Sequence, residues 1–148
     1  FEDFESTPPL LPFGNATAEV ITLDDLPSGL GTVTANVAQF SKPTGAEVWA
    51  GVTRELTTPL DLDAYNKISV KTWSPKIGAV VKMKIENSDA SITHEVDLNT
   101  TFADTWEELT YDFSGAPVAD YVKIVIFFDF GVSGDDSVYF FDDFTLTD

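Results

Sequence analysis

Along the whole chain, short runs rich in Val, Ile, Thr and aromatic residues alternate with Pro and Gly. The clearest runs are 32–41, 47–56, 67–73, 79–86, 92–98, 106–113, 121–130 and 138–146, with a weaker one at 18–23. Within most of them the hydrophobic period is two, the signature of a strand with one buried face. In 67–73, Ile68, Val70 and Thr72 point one way and Lys67, Ser69, Lys71 and Trp73 the other. In 79–86, Val81, Met83 and Ile85 face the core, which leaves Lys82, Lys84 and Glu86 on the polar side. In 47–56 the apolar set is Val48, Ala50, Val52 and Leu56; Arg54 breaks it and marks a strand end or a bulge. Run 121–130 is apolar on both faces, as a central strand is, and Asp129 shares a face there with Phe127 and Val125. Punctuation comes at short intervals, from Pro8-Pro9 to Gly131–Gly134, and no linker divides the chain. A helical period is absent except for one short turn at 61–66. Strands at this spacing predict an all-β sandwich in one domain spanning residues 1–148.

The same alternation puts Trp49, Trp73 and Trp106 on the polar faces of their strands. Large aromatics normally serve the core, so exposed ones call for an explanation. One is a sugar platform: pyranose rings present flat faces of C–H bonds that stack on aromatic rings. Flanking charged side chains then bond the hydroxyls, and Lys71, Lys84, Glu86 and Asp129 have the parity for it. The other is that Trp49 and Trp73 each cover an edge of the sandwich under a loop. Trp106, at a strand start after Asp104-Thr105, reads as structural.

The 148 residues carry 25 acidic and 8 basic side chains, a net charge of −17. With 43% hydrophobic residues, that acidity does not mean disorder. It argues against nucleic acid and against anionic membrane surfaces as partners, both of which need a basic footprint. No apolar run reaches membrane-spanning length, so no membrane insertion is expected. There is no Cys, which excludes disulfides and thiolate chemistry. The chain starts at Phe1 without Met, as a mature fragment or excised module does.

Catalytic signatures are weak. Glu107 and Glu108 are adjacent on a strand and point to opposite faces, unsuitable for a glycosidase pair. The single histidine, His94, has no GxSxG near it and reads as a surface strand residue. One His and no Cys argue against zinc. Asp129-Phe130-Gly131 spells the kinase triplet without any other kinase motif. No enzyme is expected.

The C-terminal run SVYFFDDFTLTD reads as one extended strand, with Phe140, Asp142, Phe144 and Leu146 on one face. A lone ionised carboxylate among Phe and Leu would be costly, and no Lys or Arg lies nearby in sequence. A second acidic cluster, FEDFES, stands at the opposite terminus. The arrangement suggests that the termini lie side by side and share a calcium ion, whose hard oxygen ligands suit carboxylates and carbonyls. The loop Ser28-Gly29-Leu30-Gly31 is a candidate source of carbonyls. Two plainer readings stay open: Asp142 accepts backbone N–H bonds, or the strand ends early and both Asp residues are solvated.

The motifs DFES, VWAGVTREL, LDLDAYNKISVKTWSPK, VKMKIEN, DTWEELTYDFSG, IVIFFDFG and YFFDDFTL occur in this order over nearly the whole chain. The set resembles the non-catalytic carbohydrate-binding modules of the jelly-roll type related to families four, sixteen and twenty-two. Such modules belong to polysaccharide-degrading or surface glycan-binding proteins of marine bacteria. The resemblance implies a β-sandwich (jelly roll) of two antiparallel sheets and a structural Ca2+ near paired termini. Carried across by position, its ligands are Asp3, Glu5, Gly31 and Asp142, with Asp143 as understudy. The implied carbohydrate-binding residues are Trp49 and Trp73, with Lys71, Lys84 and Asp129 beside them. The expected function is binding of a soluble polysaccharide, such as the β-1,3-glucan laminarin, by a secreted or cell-surface bacterial module. That module is expected to be a monomer tethered to other domains. The alternative is a calcium-stiffened spacer or adhesion domain without glycan affinity.

Overall fold

The computed structural model describes residues 1–22 and 35–148. Ten strands are present among them: β1 (Leu11–Phe13), β2 (Thr17–Thr22), β3 (Asn36–Lys42), β4 (Gly51–Glu55), β5 (Lys67–Ser74), β6 (Val80–Glu86), β7 (Thr93–Asn99), β8 (Thr105–Asp112), β9 (Lys123–Phe128) and β10 (Ser137–Thr147). They form two five-stranded antiparallel sheets, ordered β1-β4-β9-β6-β7 and β2-β3-β10-β5-β8. The fold is therefore the all-β sandwich that the alternation predicts. Sequence neighbours such as β4 and β5 fall in different sheets, so the chain crosses the sandwich repeatedly.

The core lies between the sheets and is built from the inward set of each strand. Val52, Val81, Met83, Ile85, Ile124, Ile126 and Phe128 come from the first sheet; Ala38, Phe40, Ile68, Val70, Tyr111, Tyr139, Phe141 and Phe144 come from the second. Aromatic pairs join the layers, with Phe128 stacked on Tyr139 at 4.9 Å and 5.6 Å from Phe141. Each fully buried side chain of this kind contributes about 1.5–3 kcal/mol. β9 is the middle strand of its sheet, as its double apolar face predicts. His94 lies on the edge strand β7, half-buried, with its ring edge-on to Phe113.

Two positions depart from strict alternation. In β10, Asp142 pairs with Lys71 while Thr145 pairs with Ser69, so one extra residue is inserted between them. This is a β-bulge, and Asp143 takes φ 50° there. The bulge reverses parity. Phe140 packs in a small cluster on the outer side with Trp73, Trp106, Ile21, Val37 and Val138, whereas Phe144 packs in the main core. Asp142 keeps the parity of Phe140, so it does not share a face with Phe144 and Leu146 as a regular strand would have it. In β3, Lys42 occupies an inward position at the end of the sandwich and is 1% exposed. Its ammonium donates to the carbonyls of Phe128 (3.1 Å) and Asp129 (2.9 Å), which replaces lost hydration. Burial lowers its pKa, opposed by the charge of Asp129.

Some expected boundaries shift. Run 47–56 yields only Gly51–Glu55, because Glu47–Ala50 forms a turn closed by Ala50 N–H to the Glu47 carbonyl at 3.0 Å. Arg54 lies near the end of β4, where it pairs with Glu2 at 2.7 Å. The turn at 61–66 is present as a single Tyr65 N–H to Asp61 carbonyl bond of 3.1 Å. No helix among the described residues is long and apolar enough to cross a membrane.

Candidate functional site

Trp49 stands just before β4 and is 48% exposed. Its ring stacks on Phe13 of β1, with centroids 6.2 Å apart and planes 16° from parallel. Phe13 meets the edge of Phe127 at 5.6 Å, and Phe127 meets Phe130 edge-on at 5.4 Å. Lys82 Nζ lies 4.1 Å from the centroid of the Phe130 ring, a cation–π contact. The four rings and the lysine form a continuous strip across the outer face of the first sheet. Pairing explains the order: Phe13 lies opposite Gly51, and Phe127 lies opposite Lys82. Gly51 is the gap that the rings close over. A Cβ there would meet Phe13 Cζ at 2.8 Å and Phe127 Cδ1 at 2.9 Å.

Beside the strip runs a second row on the same face: Thr53, Val125, Lys84 and Glu95, each opposite the next. Val125 is buried although it faces outward, so side chains of this face shield it. Lys84 Nζ is 2.9 Å from Glu86 Oε1. Lys82 Nζ is 2.9 Å from Glu95 and 3.6 Å from Asp97 on the edge strand β7. Burial works to lower the Lys82 pKa, but the bond to Glu95 and the two negative charges outweigh it and the pKa is raised.

The loops behind Trp49 are tied to one another. Gly131 N–H donates to the Val48 carbonyl (2.9 Å) and Gly134 N–H to that of Ala46 (3.0 Å). Gly134 has no room for a side chain, since a Cβ there would overlap the Pro43 carbonyl oxygen. Lys76 Nζ bridges Asp129 and Asp135, 2.6 Å from each. Bonds from Lys76 and Ser137 hold the Asp135 carboxyl down at about 2. Beneath them the phenol of Tyr139 is pushed up to about 12 by burial and by the charge of Asp129.

The sequence-predicted sugar contacts therefore do not share one surface. Trp49 and Lys84 belong to the outer face of the first sheet. Asp129 follows the end of β9, turns at φ 50° and gives its carboxylate to Lys76, so it leaves the face of Phe127 and Val125. Trp73 and Lys71 are in β5, on the outer face of the other sheet. There Trp73 meets Phe140 edge-on at 5.6 Å and pairs with Trp106. Three strip members, Phe13, Phe127 and Phe130, are not marked as site residues by the sequence pattern. Phe13 lies in a three-residue strand too short to show alternation, and which residue faces it across the sheet is not written locally.

At the chain ends, Glu2 and Phe144 bridge in antiparallel register, with Phe144 N–H donating to the Glu2 carbonyl at 2.8 Å. The Phe1 ammonium donates to the Phe144 carbonyl at 2.7 Å. Phe4 packs between Phe141 and Phe144, which anchors the N-terminal segment beside the bulge. The side-by-side termini are thus as the sequence suggests. Asp142 is 1% exposed there. Glu5 Oε1 accepts from Asn36 N–H at 2.8 Å, and the Phe4 and Glu5 carbonyls accept from the Asn36 amide at 3.4 and 3.3 Å. These donors are hard oxygens, the chemistry that suits calcium. All four expected side-chain ligands already accept hydrogen bonds: Glu5 as above, and Asp142 Oδ1 from the Asp143 N–H at 2.8 Å, which is the backbone-bonded reading of that residue. Asp143 pairs with Lys71 at 2.5 Å, and Asp3 accepts the Glu5 N–H at 3.1 Å. Gly31 lies outside the described residues. Among the described residues, no three His, Cys, Asp or Glu side chains gather closely enough to hold a metal.

No protein-family model matches the sequence, and no curated protein matches it. Solved structures do. One is a family 11 carbohydrate-binding module from Clostridium thermocellum in complex with a β-1,3-1,4-mixed-linked tetrasaccharide. It aligns with TM-score 0.66 and 13% identity over 99% of this chain and 93% of that one. A family 61 carbohydrate-binding module in complex with β-1,4-galactotriose aligns with TM-score 0.61 and 16% identity, over 98% and 93%. The K2 cleaved adhesin domain of Lys-gingipain aligns with TM-score 0.63 and 14% identity, over 99% and 98%. At such identities the likeness is one of fold. The chain has the β-sandwich architecture of carbohydrate-binding modules.

Proposed function

We propose that this chain is a non-catalytic carbohydrate-binding module whose glycan lies along the Trp49–Phe13–Phe127–Phe130 strip. The half-exposed, stacked Trp49 carries the reading. An indole held flat by a neighbouring ring offers a C–H-stacking surface at little entropic cost, because it is already fixed. Lys84 and Glu86, beside the strip, supply hydrogen bonds to hydroxyls. The proposed ligand is a soluble neutral polysaccharide, with β-1,3-glucan (laminarin) as the first candidate. Affinity is roughly micromolar to millimolar, since a short glycan segment contributes little area and its hydroxyls must shed water. Its use is to keep a tethered secreted or cell-surface partner close to substrate.

A structural Ca2+ belongs to the same proposal. Asp142 and Glu5 would hold it, with main-chain carbonyls completing the shell, and it would lock the two termini together. The likeness to an adhesin domain supports a second reading, a stiff spacer without glycan affinity. A glycan array followed by affinity gels containing laminarin separates the two. Retardation by laminarin or another neutral glucan is expected; a protein that no glycan retards is the spacer.

A further inference from the structure

Lys82 ends the aromatic strip on the side of the edge strand β7, yet its positive charge is not offered to solvent. Its side chain is 9% exposed, lies over Phe130, and is covered at Nζ by Glu95 and Asp97. Those two carboxylates are 52% and 51% exposed, so the outward end of the cluster is negative. They project from β7, the edge strand that closes this side of the face. A ligand approaching Phe130 and Lys82 therefore meets acidic oxygens first. Lys84, the next lysine on the face, is likewise paired, with Glu86. The rest of the chain reinforces the sign, with a net charge of −17.

Resting on the glycan-binding reading above, we infer that Glu95 and Asp97 are specificity-determining residues that exclude anionic polysaccharides from the strip. They do so by neutralising Lys82 and placing like charge where a uronate or sulfate would lie. Specificity of this kind is repulsive: it adds little to the accepted ligand and removes the competitor. Lys82 keeps its packing role over Phe130 while its charge is withheld.

The test uses affinity gels containing laminarin, a neutral glucan, or alginate, a polyuronate, at low and high salt. Proteins compared are the wild type, Glu95→Gln/Asp97→Asn, and the same double variant with Lys82→Met. Thermal melts confirm that each is folded. The wild type is expected to favour laminarin strongly. The double variant should raise the alginate-to-laminarin affinity ratio about tenfold at low salt, with the gain fading at high salt as screening predicts. Adding Lys82→Met should cancel that gain, because the exposed ammonium is what attracts the uronate. The inference is overturned if the wild type binds alginate as well as laminarin. It is also overturned if the folded double variant keeps the wild-type ratio, or if the triple variant keeps the gain. A wild type that binds no neutral glycan, beside a double variant that gains alginate, removes the glucan reading and leaves the charge gate standing. No retention of any protein on either polymer overturns both.

Discussion

Lys71 Nζ lies 2.5 Å from Asp143 Oδ2, whereas Asp142, which stands opposite Lys71 in the ladder, is 1% exposed and accepts the Asp143 N–H at 2.8 Å. The extra residue of the bulge separates two adjacent carboxylates into different environments. Asp143 forms a partly exposed ion pair on the sheet, at side-chain exposures of 35% and 23%. Asp142 is buried one residue past Phe141, a ring on which Phe4 anchors the N-terminus. The doublet therefore carries one structural carboxylate and one surface carboxylate.

That difference predicts unequal responses to calcium. An ion bound only by the folded state stabilises it by mass action, by about 2.7 kcal/mol at a hundredfold excess over Kd. In thermal melts, EDTA should lower the Tm of the wild type and added calcium should restore it. Asp142→Ala should melt at one temperature with or without calcium. Asp143→Ala should keep the full calcium response and lose only about 0–1 kcal/mol, the worth of a partly exposed pair. A wild type indifferent to both EDTA and calcium would remove the ion from the proposal.

The two tryptophans are predicted to part in the same way. Trp49→Ala should weaken laminarin retention at least about tenfold, as loss of a stacked aromatic anchor does, with little change in Tm. Trp73 is on the opposite sheet, packed with Phe140 and Trp106, so Trp73→Ala should cost about 1–3 kcal/mol of stability and leave retention intact. Equal loss of retention in both variants, with both still folded, would place the glycan elsewhere.

How legible the molecule was in its sequence follows from which forces are local. Strand identity and inward faces depend on alternation within a few residues, and Ile68, Val70, Val81, Met83 and Ile85 all lie where it puts them. The pairing of the termini was legible because two acidic clusters needed a reason to coexist. The bulge was not. One extra residue reverses every parity after it, and FFDDFTL contains no Gly or Pro to announce it. The site was legible one residue at a time and not as a surface. Trp49 and Trp73 both alternate outward, but only the strand order shows that outward means opposite directions for them. Asp129 escaped for a simpler reason: β9 ends at Phe128, so the alternation that placed Asp129 beside Phe127 had already stopped.

Gly51 gives an independent handle on the strip. Its neighbours leave no space for a methyl group, with Ile126 O at 2.9 Å from a built Cβ in addition to the two rings. Gly51→Ala should push Phe13 and Phe127 apart, costing about 1–3 kcal/mol in denaturant melts as overpacking does. Laminarin retention should fall with it, since Trp49 loses the ring it stacks on. A variant of native stability and native retention would mean that the rings yield freely, against the rigid platform argued above.

The loop clamp behind Trp49 should give the protein a defined acid limit. Asp135 is held at about 2, below its ordinary 3.8, by bonds from Lys76 and Ser137. A depressed carboxyl stabilises the fold fully above its unfolded pKa and loses that contribution as pH falls through its folded one. The loss therefore runs from about pH 4 to about pH 2. Lys76 has a raised pKa, because its bonds to Asp129 and Asp135 outweigh burial. Its contribution is complete below 10.5, the ordinary value, and disappears only as pH climbs beyond it. Stability from this cluster is thus flat across neutral pH. Lys76→Met should remove most of the acid slope attributable to Asp135, measured as ΔG of unfolding in urea from pH 5 to pH 2. The effect is modest, because Asp135 is 45% exposed and solvent screens its pair with Lys76. An acid slope unchanged by Lys76→Met would show that other carboxylates set the limit and that the clamp contributes nothing to it.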